Sequence, residues 1–222
     1  MYSLTIDTSN AECSACISQD HKILDFQIDK EPNNQSKNLF LLIDHLFKKN
    51  QISYSSIKEI ILTVGPGSFT GIRVALAAMR AIHQVSKIPL LGLSNLQIIA
   101  FDAALLHNLS NKEIYAIINA RRGQLYVQKF SADLRKNSEP ILISISEFFS
   151  GDLYQDCYLV SDLDTLEILP DKHKEFISPT NYQKIDAVNL VKCSAFYKKH
   201  QLFLPPSPLY VRPADVTAPK SL

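Results

Sequence analysis

The sequence predicts an α/β protein of two lobes, made by duplicating one unit and shortening the second copy. An order of strand-strand-strand-helix-strand-helix begins at residue 2 and restarts near residue 115. The turn Ala120-Arg121-Arg122-Gly123-Gln124 echoes Thr8-Ser9-Asn10-Ala11-Glu12, each lying between two strand-like runs. A glycine turn, Gly65-Pro66-Gly67-Ser68-Phe69-Thr70-Gly71, joins an apolar run to a long helical pattern, the joint that alternating α/β units use.

Each element has its own signal. Residues 2–7 alternate in polarity and read as a strand, followed by strands at 12–18 and 22–28 across the polar turn Gln19-Asp20-His21. After Glu31-Pro32-Asn33-Asn34 the apolar spacing predicts a helix over 36–49. A strand at 58–64, the glycine turn and a helix at 70–87 follow. A short strand at 89–92 leads into a helix at 94–108, capped by Ser94. The second hairpin is 115–119 with 125–130, and 140–144 is its third strand. Residues 151–180 carry no readable period. A last helix is predicted over 182–199, and the proline-bearing tail from Leu204 is predicted to lie extended on the surface. The lobes are placed at 1–109 and 110–222, with the last helix and the tail in the second.

Composition narrows the function classes. The chain of 222 residues has 23 basic and 22 acidic side chains, a net charge of +1. That is too little to hold a nucleic acid unaided, which needs a basic patch to neutralise phosphates. No run approaches the twenty apolar residues of a membrane span, so no membrane is expected. The N-terminus lacks a basic n-region, so no signal peptide is expected. Four cysteines then read as reduced thiols in a cytoplasm. Cys13 and Cys16 match Cys-x-x-Cys, but a spacing of three on a strand points them to opposite faces, and no second pair completes a metal site.

The glycine turn fails three general templates. A P-loop would end in Gly-Lys-Ser/Thr, and Thr70-Gly71-Ile72 has no lysine. A dinucleotide fingerprint would place its third glycine one residue earlier. A hydrolase elbow would put the serine midway between glycines, and Ser68 is displaced. What remains is a backbone cradle, a close packing contact, or both. Asp7, at a strand end, is either a turn hydrogen-bonder or a neighbour of a nucleotide cleft. Arg121 and Arg122 suit a phosphate, a partner carboxylate or a solvated turn.

Residues 72–87 gather Arg73, Arg80, Gln84 and Lys87 into one narrow stripe, with His83 beside it. The rest of this helix is apolar or small, and its four alanines permit close approach. It is therefore buried on more than one side, by the preceding helix and the tail or by a partner.

The run Gly-Pro-Gly-Ser-Phe-Thr-Gly-Ile-Arg at 65–73 resembles the hallmark of the TsaB (YeaZ) family. Leu4-Thr5-Ile6-Asp7-Thr8-Ser9, Leu91-Gly92-Leu93-Ser94-Asn95-Leu96, the stretch from Ile118 to Tyr126, and Pro208-Leu209-Tyr210-Val211-Arg212 are similar to further family segments, in the family's order. Gln35, Asn119 and Gln124 depart from the family's usual histidine, aspartate and glutamate.

The resemblance implies the actin-like, sugar-kinase and Hsp70-ATPase (ASKHA) fold. It implies a non-catalytic scaffold for a TsaD-type threonylcarbamoyltransferase, which modifies N6 of the adenosine beside the anticodon. A TsaE-type ATPase would engage the pair, the chain alone would form a homodimer, and tRNA would be met only through the complex. The implied signature is Gly65 to Gly71 with Arg73. The implied partner face is Leu39, Leu42, Ile43 and Leu46 with Val74, Ala77, Ala78, Ala81 and Val85. Asp7, Arg121 and Arg122 are the implied nucleotide or partner contacts. No catalytic residue, metal or cofactor of its own is implied, with ATP or ADP placed at the interface of the complex. Asp7-Thr8-Ser9 lacks the glycine of an ATPase phosphate hairpin, and no His-x-x-x-His pair marks a metal-bearing transferase. Two other readings stand beside this one: a small ATP-dependent kinase or peptidase-like enzyme using Ser68, and a self-contained homodimer.

Overall fold

In a computed structural model, the structure describes residues 1–31, 35–135, 137–150 and 156–212, without the side chains of Gln35 and Ser36. Three strands, β1 (Tyr2–Asp7), β2 (Cys13–Gln19) and β3 (Lys22–Asp29), form an antiparallel meander. Helix α1 (Gln35–Asn50), β4 (Ile57–Gly65), α2 (Phe69–Ser86) and β5 (Leu90–Ser94) complete a five-stranded sheet ordered β3-β2-β1-β4-β5, with β4 and β5 parallel to β1. Helix α3 (Asn95–Leu106) leads to the second sheet.

There the strands are β6 (Ile114–Arg121), β7 (Gln124–Phe130) and β8 (Ile141–Ser144), then β9 (Tyr158–Ser161) and β10 (Ile177–Pro179). They are ordered β8-β7-β6-β9-β10 with the same antiparallel and parallel pairings, so the duplication is visible strand for strand. This is the actin-like α/β arrangement. The second copy is shortened in its helices: α4 (Ile145–Ser150), α5 (Leu163–Ile168) and α6 (Asp171–Lys174) hold six, six and four residues, against sixteen and eighteen in α1 and α2.

The burial follows from strand alternation. Leu4 and Ile6 face a core shared with Leu39, Ile43 and Leu46 of α1 and Ile72, Ala75 and Met79 of α2. The alternate residues Ser3, Thr5 and Asp7 point to the opposite face. That face is covered by the last helix, α7 (Ala187–Lys199). Thr5 Oγ1 donates to the Ala187 carbonyl (2.8 Å), and the Ala187 amide donates to Ser14 Oγ (2.9 Å). Lys198 meets Glu59 at 2.7 Å, and Ser3 Oγ donates to the other Glu59 oxygen at 2.8 Å. The last helix was expected in the second lobe, and it lies instead on the first sheet. A sheet buried on both faces needs helices on both, and only a returning segment supplies the second cover. Cys13 joins the α1–α2 core and Cys16 the cluster under α7, the opposite faces that their spacing predicts.

Helix α3 is apolar around nearly its whole girth and lies between the sheets. It packs Leu96, Ile99 and Ala103 with Ile61 and Leu93 of the first sheet, Ile114 and Val160 of the second, and Leu190 and Tyr197 of α7. Ser94 and Gln97 form its capping box, as the expected cap at Ser94 required.

Candidate functional site

The glycine turn presses against the turn after β1. A Cβ on Gly67 would stand 2.2 Å from the Ser9 carbonyl oxygen, and one on Gly71 1.9 Å from that of Thr8. The Ser68 amide donates to the Ser9 carbonyl (2.6 Å), and Thr8 Oγ1 donates to the Gly71 carbonyl (2.8 Å). Of the two roles left open for this turn, close packing accounts for both glycines. Ser68 Oγ accepts the Gly71 amide at 3.2 Å and caps α2. That is a structural duty, and the same residue lines the cleft between the lobes.

Asp7 is buried beneath this joint and does not line the cleft. Its Oδ1 accepts from Ser9 Oγ (2.5 Å), Thr63 Oγ1 (2.6 Å) and the Ser9 amide (3.1 Å); its Oδ2 accepts from Asn10 Nδ2 (3.0 Å). Burial raises its pKa to about 6, against the lowering pull of these bonds. Asp7 is the turn hydrogen-bonder of its two readings.

Beside the joint, the lobes enclose a cleft of about 430 Å³. The first lobe contributes Ser9, Gly67, Ser68 and Asn95; the second contributes Asn119, Arg121, Asp162 and Lys184. Asn119 Oδ1 accepts the Arg121 amide (2.8 Å), which shapes the β6–β7 turn where Arg121 and Arg122 adopt positive φ. Arg121 lines the cleft and Arg122 does not. Asp162 caps α5 through the Thr165 amide (2.8 Å), and burial pushes its pKa up to about 6. Lys184 pairs with Glu12 at 3.5 Å. Arg212 reaches in from the tail, donating from Nη2 to the Ala120 carbonyl and to Gln124 Oε1, both at 2.8 Å. Asp162 and Lys184 were not singled out by sequence reasoning, because their loops carry no motif, and Asn95 stood in the segment Leu91 to Leu96 without an assigned contact. Arg212 stood in the tail segment Pro208 to Arg212, but without an assigned contact. Gln35 opens α1 with a side chain outside those described.

The second region is the outer edge of α1 and α2. The structure departs from the implied partner face at three residues: Leu39, Ile43 and Leu46 are 0% exposed and belong to the core. They lie on the side of α1 that covers the sheet, so no partner reaches them. Leu42, Val74 and Ala78 are half-buried, and Leu42 and Ala78 pack on the same core. The exposed members are Ala77, Ala81 and Val85, the last 87% exposed. On α1 the exposed apolar residues are Phe40 at 47% and Leu41 at 59%, neither of them among the implied contacts. The polar stripe of α2 is partly covered by the tail. Arg80 Nη2 donates to the Pro206 carbonyl (2.6 Å), and Arg73 Nε donates to Tyr210 Oη (2.7 Å) while its guanidinium lies 3.7 Å from the Phe69 ring centre.

Comparison with known proteins agrees with this architecture. The family model described as "TsaD: tRNA N6-adenosine threonylcarbamoyltransferase" matches residues 32–151, more than half of the chain. A tRNA threonylcarbamoyladenosine biosynthesis protein TsaB from Buchnera aphidicola subsp. Baizongia pistaciae is 33% identical over 150 residues, 65% of this chain and 66% of that one. The proteins of the same name from Escherichia coli K12 and Bacillus subtilis 168 are 24% and 26% identical, over 59% and 55% of this chain. The matched stretch spans 55% and 52% of those two, so under two thirds of each of the three relatives. Among solved structures, YeaZ from Pseudomonas aeruginosa superposes with a TM-score of 0.73 at 19% identity, covering 94% of this chain and 99% of that one, a likeness of fold. The signature turn, the duplicated fold and these matches together place this chain in the TsaB (YeaZ) family.

Proposed function

We propose that this chain is a non-catalytic scaffold in the formation of threonylcarbamoyladenosine on tRNA, seating a TsaD-type threonylcarbamoyltransferase on the outer edge of α1 and α2. The observation that carries the reading is the apolar, unhindered edge formed by Ala77, Ala81 and Val85, with Phe40 and Leu41 on the neighbouring helix. Small residues let partner helices approach closely, and exposed Phe and Leu supply area to bury. The partner would perform the transfer to N6 of the adenosine beside the anticodon. With a net charge of +1, this chain leaves tRNA binding to the complex. A TsaE-type ATPase would engage the assembled pair in the cytoplasm, with ATP or ADP at the interface. In the partner's absence the same edge would serve a homodimer.

Co-purification with the TsaD-type protein of the same cell tests this. A stoichiometric complex is expected, with Ala81→Arg abolishing it while the circular dichroism spectrum and melting temperature hold. Ala81 is a cleaner site than Ala78, which touches the core. No complex, or one indifferent to Ala81→Arg, would overturn the reading. Turnover by the isolated chain, lost in Ser68→Ala, would favour the enzyme alternative.

A further inference from the structure

The tail from Leu204 to Arg212 makes a row of contacts that the scaffold reading leaves unused. Leu204 and Gly92 exchange both backbone hydrogen bonds at 2.9 Å. The Leu209 amide donates to the Val64 carbonyl at 2.8 Å. Pro206 and Tyr210 take the bonds from Arg80 and Arg73 described above. Gly92 is the residue that makes room, since a Cβ there would stand 2.8 Å from the Pro205 carbonyl oxygen. Every one of these anchors belongs to the first lobe. Two residues beyond Tyr210, Arg212 bonds the β6–β7 turn of the second lobe at Ala120 and Gln124.

We propose that this segment is a strap coupling the α2 edge to the cleft between the lobes, with Arg212 as its latch. Two residues of extended chain span at most about 7 Å, so a strap fixed at Tyr210 leaves Arg212 little slack. The latch bonds therefore limit how far the β6–β7 turn can move away from β4 and β5. Both acceptors are neutral, so the latch is two hydrogen bonds from a charged donor rather than an ion pair. Two residues before the latch, Tyr210 is 54% exposed and lies over Arg73, on the turn of α2 next to Val74 and Ala77. A molecule docked on the α2 edge meets Tyr210, and a shift of the strap there is carried to Arg212. One element biased from two sites is what energetic coupling requires. This coupling rests on the α2 edge being the docking face; the latch does not.

The latch is tested on the full chain alone. Spin labels at Lys58 and Glu139, exposed positions on the two lobes, report the inter-lobe distance in a Cys157→Ser background. Arg212→Ala and Gln124→Ala are each expected to broaden and lengthen that distribution, with the far-ultraviolet spectrum unchanged. Gln124→Glu gives Arg212 a carboxylate, and is expected to narrow the distribution at low salt and lose the effect at high salt. Identical distributions for wild type and Arg212→Ala would overturn the latch. The coupling is tested by titrating the TsaD-type protein. Its Kd is expected to differ about fivefold or more between wild type and Arg212→Ala, and its binding to shift the label distance. Equal Kd values with an unmoved distance would overturn the coupling. If the partner does not bind wild type at all, the docking reading and the coupling fall together, while the label distances still decide the latch.

Discussion

At the scale of single residues, the two glycines that contact the first turn carry the sharpest prediction. Gly71→Ala places a methyl group into the Thr8 carbonyl, and backbone on both sides cannot move aside. Overpacking of this kind is expected to lower stability by about 3 kcal/mol or prevent folding, read from the urea midpoint. Gly123 makes a control: no atom lies within 4 Å of its added Cβ, although its φ of +70° still disfavours other residues. The glycine run was conspicuous in the sequence, but its purpose was not. Whether it cradles a ligand or packs depends on Thr8 and Ser9, which stand far away in the chain and carry no sign of that contact. Asp7 was equally visible as a residue and ambiguous as a role; only the convergence of Ser9, Asn10 and Thr63 on its two oxygens separates a turn organiser from a cleft acid.

At the scale of elements, α1 shows how far periodicity reaches. Its spacing identifies an apolar half, yet not which edge of that half stays uncovered. That edge is set by bonds from its other flank to β3: Asn50 Nδ2 and Lys49 Nζ donate to Asp25 (2.9 and 3.0 Å), and Asn38 donates to Asp29. These fix the rotation of the helix on the sheet, burying Ile43 and exposing Leu41. Ile43→Ala is expected to cost about 3 kcal/mol in chemical denaturation, and Leu41→Ala less than about 0.5 kcal/mol. Equal losses would mean that the rotation is wrong. The short elements between residues 156 and 179 were illegible because strands of three and four residues hold too few positions to show alternation. Helix α7 was legible but began five residues later than expected, at Ala187, because the Asp186 carboxylate caps it through the Val188 and Asn189 amides. Asp186→Ala should cost about 1 kcal/mol in thermal or urea unfolding.

At the scale of the whole molecule, four carboxyl groups are shifted upward by burial, Asp186 among them. Burial raises Asp7, Asp102 and Asp162 to about 6 each, against 3.8 for the ordinary group. Between those values the folded chain holds protons that the unfolded chain has released. Stability is therefore expected to fall as pH rises from about 4 to about 6, then level off. Melting temperatures measured across that window check this, and Asp102→Asn should flatten the slope by its own share. A stability that rises through the window would contradict it. The duplicated order of strands was legible at this scale, because each copy repeats the same pattern of turns. The path of the chain was not: the return of α7 to the first sheet rests on Thr5, Ser14 and Glu59, polar residues that in sequence look like a solvated face.

That return makes the two lobes inseparable as pieces. A fragment ending near residue 109 would keep every strand of the first sheet yet leave Thr5, Ser14 and Glu59 without the helix that satisfies them. Such a half should aggregate on expression and be rescued when a peptide spanning 185–212 is supplied alongside it. The duplicated halves are thus interlaced through one helix, and the first is not complete without a segment that follows the second.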